Sequence, residues 1–147
     1  MELETREQLR QAICDGQPGL LEFQRLFMAV ADAVEAGRDA DARETVTGLL
    51  PHLQQFSRYC LVLHHAGAEH LAEAEQEALL ALTRRLLDCL QGLASAWQTG
   101  DLVAVGDSMR LDLAPLFGDY HGAFQSLAAS LGVPAAEPVA QPAEAMG

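Results

Sequence analysis

The sequence predicts an all-α protein that folds as an antiparallel four-helix bundle. Apolar residues recur at alternating spacings of three and four along four long segments, which is typical of amphipathic helices. Leu, Ala and Val dominate the apolar residues and there is only one Ile, so the β-branched enrichment of strands is weak. Short Gly-containing breaks separate the segments, and short connections favour antiparallel neighbours. The length of 147 residues fits one domain, predicted over 1–132, followed by a disordered Pro/Ala-rich tail over 133–147.

The N-terminal part of the chain predicts a short extra helix from Glu2 to Cys14. Residues 15–19 contain two Gly and one Pro and are expected to break it. A second segment then has a regular apolar face, and Gly37 is expected to end it. Asp39 or Asp41 is a candidate cap for the next helix. The apolar face of the second segment consists of Leu20, Phe23, Phe27, Val30 and Val34.

The remaining three segments carry the rest of the predicted core. In the third, Pro51 predicts a kink or a fresh start, and Gly67 lies at its end. The fifth is apolar around most of its girth, which predicts the most buried helix, and Pro115 interrupts it. The two prolines also suggest a duplicated helical hairpin, with coincidence as the alternative. The fourth has a wide seam compatible with a homo-oligomer, formed by Leu79, Leu82, Leu86, Cys89, Leu93 and Ala96.

Charge excludes several classes of function. The formal net charge is −12, from 21 acidic and nine basic residues, so phosphate backbones and anionic membrane surfaces are unfavourable partners. A strongly acidic surface instead favours encounters with basic partners. Every basic residue is Arg, which excludes a Schiff-base or phosphate-loop lysine.

Sequence motifs for catalysis and for cofactors are absent. The chain has no phosphate loop, no nucleophile elbow, no dinucleotide fingerprint and no paired Glu-x-x-His, so we expect no cofactor and no enzyme activity. Cys14, Cys60 and Cys89 lie among apolar residues, which favours buried reduced thiols over redox chemistry. The acidic N-terminus is unlike a signal peptide and no apolar run suits a membrane span, so the expected location is the cytoplasm.

One cluster of potential metal ligands lies near the start of the fourth segment. On a continuous helix His70, Glu73 and Glu77 share a face, and such a face can hold a divalent cation. Gly67 is expected to interrupt the chain just before them, and acids are favoured in the first turn of a helix by its dipole alone. We therefore prefer a solvated helix start to a metal site.

Two further groups of residues are candidates for binding. An acidic row could dock a basic partner, although a solvated helix face is the simpler explanation. An aromatic group could line a pocket for a small ligand within the bundle. The acidic row consists of Asp101, Asp107, Asp112 and Asp119, and the aromatic group of Trp97, Tyr120 and Phe124.

The stretch 96–107, AWQTGDLVAVGD, together with Leu113-Ala114-Pro115-Leu116, resembles a pattern in small bacterial helical-bundle proteins loosely associated with flagellar and secretion gene clusters. In that pattern a helix ends, an Asp starts the next, a second Asp follows, and an apolar-x-Pro-apolar step comes later. The resemblance covers about a quarter of the chain and implies a helical bundle, with Asp112 in the place of an acidic residue before the Pro step. It carries over no functional residue.

Taken together, these features favour a non-enzymatic, protein-binding bundle with an adaptor or chaperone-like role. The alternative is a bundle that binds a small ligand or a metal ion. A large apolar cavity would favour the alternative, whereas a filled core with an exposed apolar groove would favour protein binding.

Overall fold

The computed structural model describes residues 5–132, which form a helical bundle without a strand. Its helices are α1 (Arg6–Glu35), α2 (Asp39–Gly67), α3 (Glu73–Thr99), α4 (Leu102–Asp107) and α5 (Ala114–Gly132), with a π-helical segment (Ser108–Leu113) joining the last two. Residues at both junctions keep right-handed helical dihedral angles, so α4, the π-helical segment and α5 form one composite fourth helix. The predicted all-α, four-helix bundle is confirmed, whereas the tail at 133–147 lies outside the described residues.

The four helices, counting the composite helix as one, pack around a common core, and neighbouring helices are antiparallel. Both α1 and α3 lie against α2 on one side and against the composite helix on the other. The start of α1 meets the end of α5, where the Arg6 guanidinium donates to the backbone oxygens of Ser130 and Leu131. The contact between α1 and α5 is the most extensive in the bundle.

The prediction of a separate N-terminal helix is wrong, because α1 runs unbroken through 15–19 with Pro18 inside it. Leu9, Ile13, Gly16 and Leu20 continue one helical face at spacings of four, three and four, so the buried stripe passes straight through the expected break. A proline removes one backbone donor, and here the apolar stripe on either side of it holds the helix together. The bundle described over 5–132 therefore has four helices, counting the composite helix as one, and no separate N-terminal helix.

Three other local predictions have different outcomes. Gly37 and Gly100 both have positive φ angles, of 77° and 72°, and follow the ends of α1 and α3; the first of these helix ends was predicted. Helix α2 has Arg38 as its N-cap residue, without a side-chain capping bond, so Asp39 and Asp41 are first-turn acids instead of caps. The fresh start predicted at Pro51 is wrong because α2 continues through it.

Pro115 does mark an interruption, in the form of the π-helical segment that ends just before it. The Ala114 N–H donates to the Met109 oxygen, five residues back, which is the hydrogen bond of a wider turn. The wider turn keeps Met109 and Leu113 in the core while Leu111 stands 66% exposed. Pro51 has no such segment before it, so the two prolines of the possible duplication lie in different local structures.

Seven aromatic rings form the centre of the core where α1, α2 and α5 meet. Phe117 is fully buried and its ring centroid lies 4.9–5.1 Å from those of three phenylalanines, on α1 and α2. These rings pack in tilted and edge-to-face arrangements, which are the favoured geometries for aromatic pairs. The cluster consists of Phe23, Phe27, Phe56, Tyr59, Phe117, Tyr120 and Phe124.

Candidate binding groove between α1 and α2

The aromatic group predicted as a ligand pocket does not come together. Tyr120 and Phe124 are fully buried in the aromatic cluster, with ring centroids 6.0 Å apart. The Tyr120 hydroxyl lies 3.4 Å from the Thr83 hydroxyl on α3, whereas Trp97 lies at the end of α3. The rise of a helix places Trp97 about 21 Å along α3 from Thr83. The structure therefore does not bring Trp97 together with Tyr120 and Phe124.

The acidic row is exposed but divided between two sides of the composite helix. Asp101 caps α4 by accepting a hydrogen bond from the Ala104 N–H. Asp107 lies beside α1, in a surface depression that also contains Glu35 and Arg110. The other two acids face α3 instead.

On the α3 side, Asp119 pairs with Arg85, with 2.8 Å between the guanidinium nitrogen and the carboxylate oxygen. Burial raises the pKa of the Cys89 thiol, and the nearby carboxylate of Asp112 raises it further. Since Asp112 and Asp119 face α3 and Asp107 faces α1, the four acids do not present one docking surface.

The candidate metal ligands lie at the turn between α2 and α3. His70 belongs to the connection, whereas Glu73 and Glu77 lie in the first two turns of α3. The side chain of Glu75 accepts a hydrogen bond from the Ala72 N–H and so caps this helix. Within residues 5–132, no three His, Cys, Asp or Glu side chains lie close enough together to hold a metal ion.

The three cysteines are free thiols in the interior or at its edge. Cys60 is fully buried, and burial raises the pKa of its thiol to about 12. Because the thiolate is the reactive form, the Cys60 thiol is protonated at neutral pH and is a poor nucleophile.

An open, mostly apolar groove lies on the surface between α1 and α2, and we call it the α1–α2 groove. It has two connected parts of about 510 and 280 Å³, which share Gly19, Phe23 and His52. At one end Asp15 faces Tyr59, and at the other Leu26 faces Leu49. The larger part is lined by Asp15, Gly16, Gly19, Leu20, Phe23, His52, Gln55, Phe56 and Tyr59, and the smaller part adds Glu22, Leu26 and Leu49.

The floor of the α1–α2 groove is part of the aromatic core. Phe23 is half-buried, and its ring centroid lies 5.8 Å from that of Phe56 and 5.1 Å from that of Phe117. Side chains held by packing on several sides lose little further freedom on binding, so this floor is preorganised for an apolar ligand.

Small residues on α1 leave the α1–α2 groove open. A Cβ atom at Gly16 would lie 3.0 Å from the Tyr59 hydroxyl oxygen. Glycine at this position therefore allows the Tyr59 side chain to lie against α1 and to donate a hydrogen bond to the Ala12 oxygen at 2.6 Å. A Cβ atom at Gly19 would have no neighbour within 4 Å. The space over Gly19 is therefore the central opening of the groove.

The two carboxylates of the α1–α2 groove differ in whether they already have a cationic partner. The Glu22 carboxylate is already paired with Arg25 at 2.5 Å on the same helix. Asp15 accepts a hydrogen bond from the Gln11 amide at 2.8 Å and takes part in none of the ion pairs found within 5–132. Burial is the main cause that raises the pKa of Tyr59, and the charge of Asp15 makes a smaller contribution. No arginine lines the groove.

Sequence reasoning missed this groove because it assigned 15–19 to a break between helices. A signal was present: Gly16 continues the stripe from Ile13 to Leu20 and Phe23, and Gly19 adds a second missing side chain one turn later. Phe56 and Tyr59 lie three residues apart on α2 and face that gap.

Comparisons with known proteins provide no family for this chain. No protein-family model, no curated protein and no solved structure matches it. Over residues 5–132, no helix combines the length and the apolar character needed to cross a membrane.

Proposed function

We propose that this chain is a non-enzymatic, protein-binding helical bundle that receives an amphipathic helix of a basic partner in the α1–α2 groove. The observation that carries the proposal is the groove itself, which is open to solvent and has a floor of half-buried and buried aromatic rings. Helix-in-groove binding uses such a surface, with apolar anchors from successive turns of the partner.

The length of the groove suits a short helix. From Asp15 to Leu26 the groove follows 11 residue steps of α1, which at the rise of a helix is about 17 Å, or three turns. A partner helix of about three turns presents anchors at i, i+3 or i+4, and i+7, which matches this span. The larger anchors would lie over Gly19 and against Phe23.

The charge of the chain favours a basic partner. The formal net charge is −12, and the groove is lined by two carboxylates and no arginine. Complementary charge increases the rate of encounter and disfavours acidic partners. The resemblance to bacterial flagellar and secretion-cluster proteins would fit a chaperone-like role toward a helical segment of another protein.

The alternative function is binding of a small apolar ligand at the same place. The volume of about 510 Å³ in the larger part of the groove falls within the range of small-molecule sites, which supports this alternative. Such sites bury most of the ligand surface, however, and the α1–α2 groove is open along its length. The openness favours a helix as the occupant.

A substitution that fills the groove tests the proposal. Gly19→Leu places a side chain in the open space of the groove, and it should stabilise α1 by about 1 kcal/mol because glycine is a poor helix former. Gly92→Leu on α3 is the matched control, since a Cβ atom there also has no neighbour within 4 Å. Both variants should therefore fold.

The measurement is selection of a displayed library of 18-residue helical peptides against the full chain, followed by affinity measurements on the enriched peptides. We expect basic amphipathic peptides whose binding is lost in Gly19→Leu and kept in Gly92→Leu. Peptides that bind both variants equally would place the binding surface elsewhere. If no peptide is enriched, but the neutral dye Nile red binds the unmodified chain and does not bind Gly19→Leu, the small-ligand alternative is correct.

A further inference from the structure

We propose that Asp15 is the specificity-determining residue of the α1–α2 groove: it pairs with an arginine or lysine of the docked helix and so fixes the direction in which that helix lies. This inference rests on the proposed function, because it names the chemistry that the groove requires of its occupant. It follows from a difference between the two ends of the groove.

The two ends of the groove differ in charge. At one end the Asp15 carboxylate lies beside Tyr59, and at the other end the lining side chains, Leu26 and Leu49, are apolar. Glu22 lies between the ends, but its carboxylate is already paired with Arg25 at 2.5 Å. Asp15 is thus the one groove carboxylate, among the described residues, without a cationic partner.

When a docked helix covers Asp15, the charge of this carboxylate determines which side chains of the helix can lie over it. In the uncovered groove, water solvates the carboxylate, and the Gln11 amide donates one hydrogen bond at 2.8 Å. A docked helix would displace part of that water, and a carboxylate that loses water without gaining a cation is costly. A neutral or acidic side chain over Asp15 is therefore disfavoured, and an arginine or lysine is favoured.

The spacing of the groove then defines the expected partner. Apolar anchors of the helix lie over the aromatic floor at Phe23 and Phe56 and over the Leu26–Leu49 end, and its cation lies at the Asp15 end. With the groove about 17 Å long, the cation and the farthest anchor are about three turns apart. A helix docked in the reverse direction would place an apolar residue over Asp15 and its cation over Leu26 and Leu49.

Three synthetic 14-residue amphipathic peptides with one common apolar pattern test this inference. One carries an arginine at its N-terminal end, one carries it at its C-terminal end, and one has glutamine at both positions. Their affinities for the full chain are measured by fluorescence anisotropy. The protein variants are Asp15→Asn, which can still accept the Gln11 hydrogen bond, and Asp88→Asn, an exposed carboxylate on α3, as the charge-matched control.

We expect one of the two arginine peptides to bind the unmodified chain more tightly than the other two. Asp15→Asn should weaken the binding of that peptide roughly three- to tenfold and leave the affinity of the glutamine peptide unchanged. An effect of this size is expected because the docked helix partly shields the pair between Asp15 and the arginine from solvent. Asp88→Asn should change none of them beyond a small, equal effect of net charge.

Several results would overturn the inference. Equal binding of the two arginine peptides would show that Asp15 does not set direction, and an equal loss for all three peptides in Asp15→Asn would show a general effect of charge. If the peptides bind and Gly19→Leu abolishes binding while Asp15→Asn has no effect, the inference fails and the proposed function stands. If binding does not depend on Gly19, both fail.

Discussion

Helix α1 contacts the bundle on two flanks that are built differently. Toward α5 the contact is the most extensive in the molecule, and both ends of the seam are tied by side chains. Arg6 donates to backbone oxygens at the end of α5, and Gln24 donates to the Ala114 oxygen at 2.7 Å. Toward α2, the Ala12 oxygen accepts a hydrogen bond from the Tyr59 hydroxyl, and the α1–α2 groove lies beside this bond.

The difference shows how one helix can serve both stability and binding. On the α5 flank, a Cβ atom at Gly118 would lie 3.0 Å from the Gln24 amide nitrogen, so the glycine is covered by a neighbour. On the α2 flank, Gly19 is covered by nothing within 4 Å. A missing side chain thus allows a close approach at Gly118 on one flank and at Gly16 on the other, whereas at Gly19 it leaves the groove open.

The largest expected effect comes from truncating the ring that both flanks share. Phe117→Ala removes a fully buried ring that contacts α1 and α2, and it should lower the free energy of unfolding by about 3–5 kcal/mol. Phe23→Ala makes the same chemical change on the half-buried floor of the groove and should cost less, about 1–2 kcal/mol. Urea unfolding followed by circular dichroism measures both.

This pair of variants also separates stability from binding. Phe23→Ala should weaken peptide binding more than Phe117→Ala does at a temperature where both are folded, because only Phe23 lines the groove. Equal losses of stability would mean that the floor of the groove is as tightly packed as the core, contrary to the comparison of the two flanks.

A second, smaller effect compares the polar contacts of the two flanks. Gln24→Leu removes the hydrogen bond to Ala114, and Tyr59→Phe removes the hydrogen bond to Ala12. Each should lower the free energy of unfolding by about 0.5–1.5 kcal/mol, and the two losses should add, since the bonds lie on different flanks. Denaturant titrations of the two single variants and of the double variant provide the values. A double variant far from additive would show that the flanks act as one unit.

The smallest effect concerns the ion pair that ties α1 to the π-helical segment. Arg110 contacts Glu35 at 2.9 Å, and this hydrogen bond, with the positive charge, lowers the pKa of the exposed Glu35 carboxyl from its ordinary value of 4.5. A lowered carboxyl pKa stabilises the fold above the unfolded pKa, and this contribution is lost as the pH falls through the folded pKa.

Arg110→Met should therefore lower the melting temperature slightly at neutral pH. The difference from the unmodified chain should disappear as the pH falls below 4.5, through the lowered pKa of Glu35. Thermal unfolding at pH 7 and pH 3 in low salt measures it, since salt screens exposed pairs. A difference that persists at pH 3 would show that the Glu35 pair is not its source, and that Arg110 acts through packing of its side-chain stem or through its second ion pair, with Asp32 at 2.9 Å.

Much of the bundle could be predicted from the sequence, whereas the candidate site could not. In the fourth segment, the apolar spacing predicted a seam of which Leu79, Leu82, Leu86 and Leu93 are buried, because a helix that buries one stripe must repeat it every three or four positions. Cys89 and Ala96 of the same seam are only half-buried. The break predicted at 15–19 does not form, because burial of the apolar stripe through Gly16 outweighs the helix-breaking propensity of these residues. Spacing along α3 does not show which residues of α5 lie opposite, so the distance between Trp97 and Tyr120 is visible only in the structure.

The sequence by itself determined the helical class, the Gly37 and Gly100 helix ends and the acidic surface, since these depend on periodicity, backbone freedom and composition. Only the tertiary structure decided that Pro18 lies inside a helix and that the glycines of α1 face Phe56 and Tyr59 across an open groove. The physical reason is that a groove belongs to no single helix. The groove exists because the packing of α1 against α2 leaves the space over Gly19 unfilled, and the sequence of either helix alone does not show this.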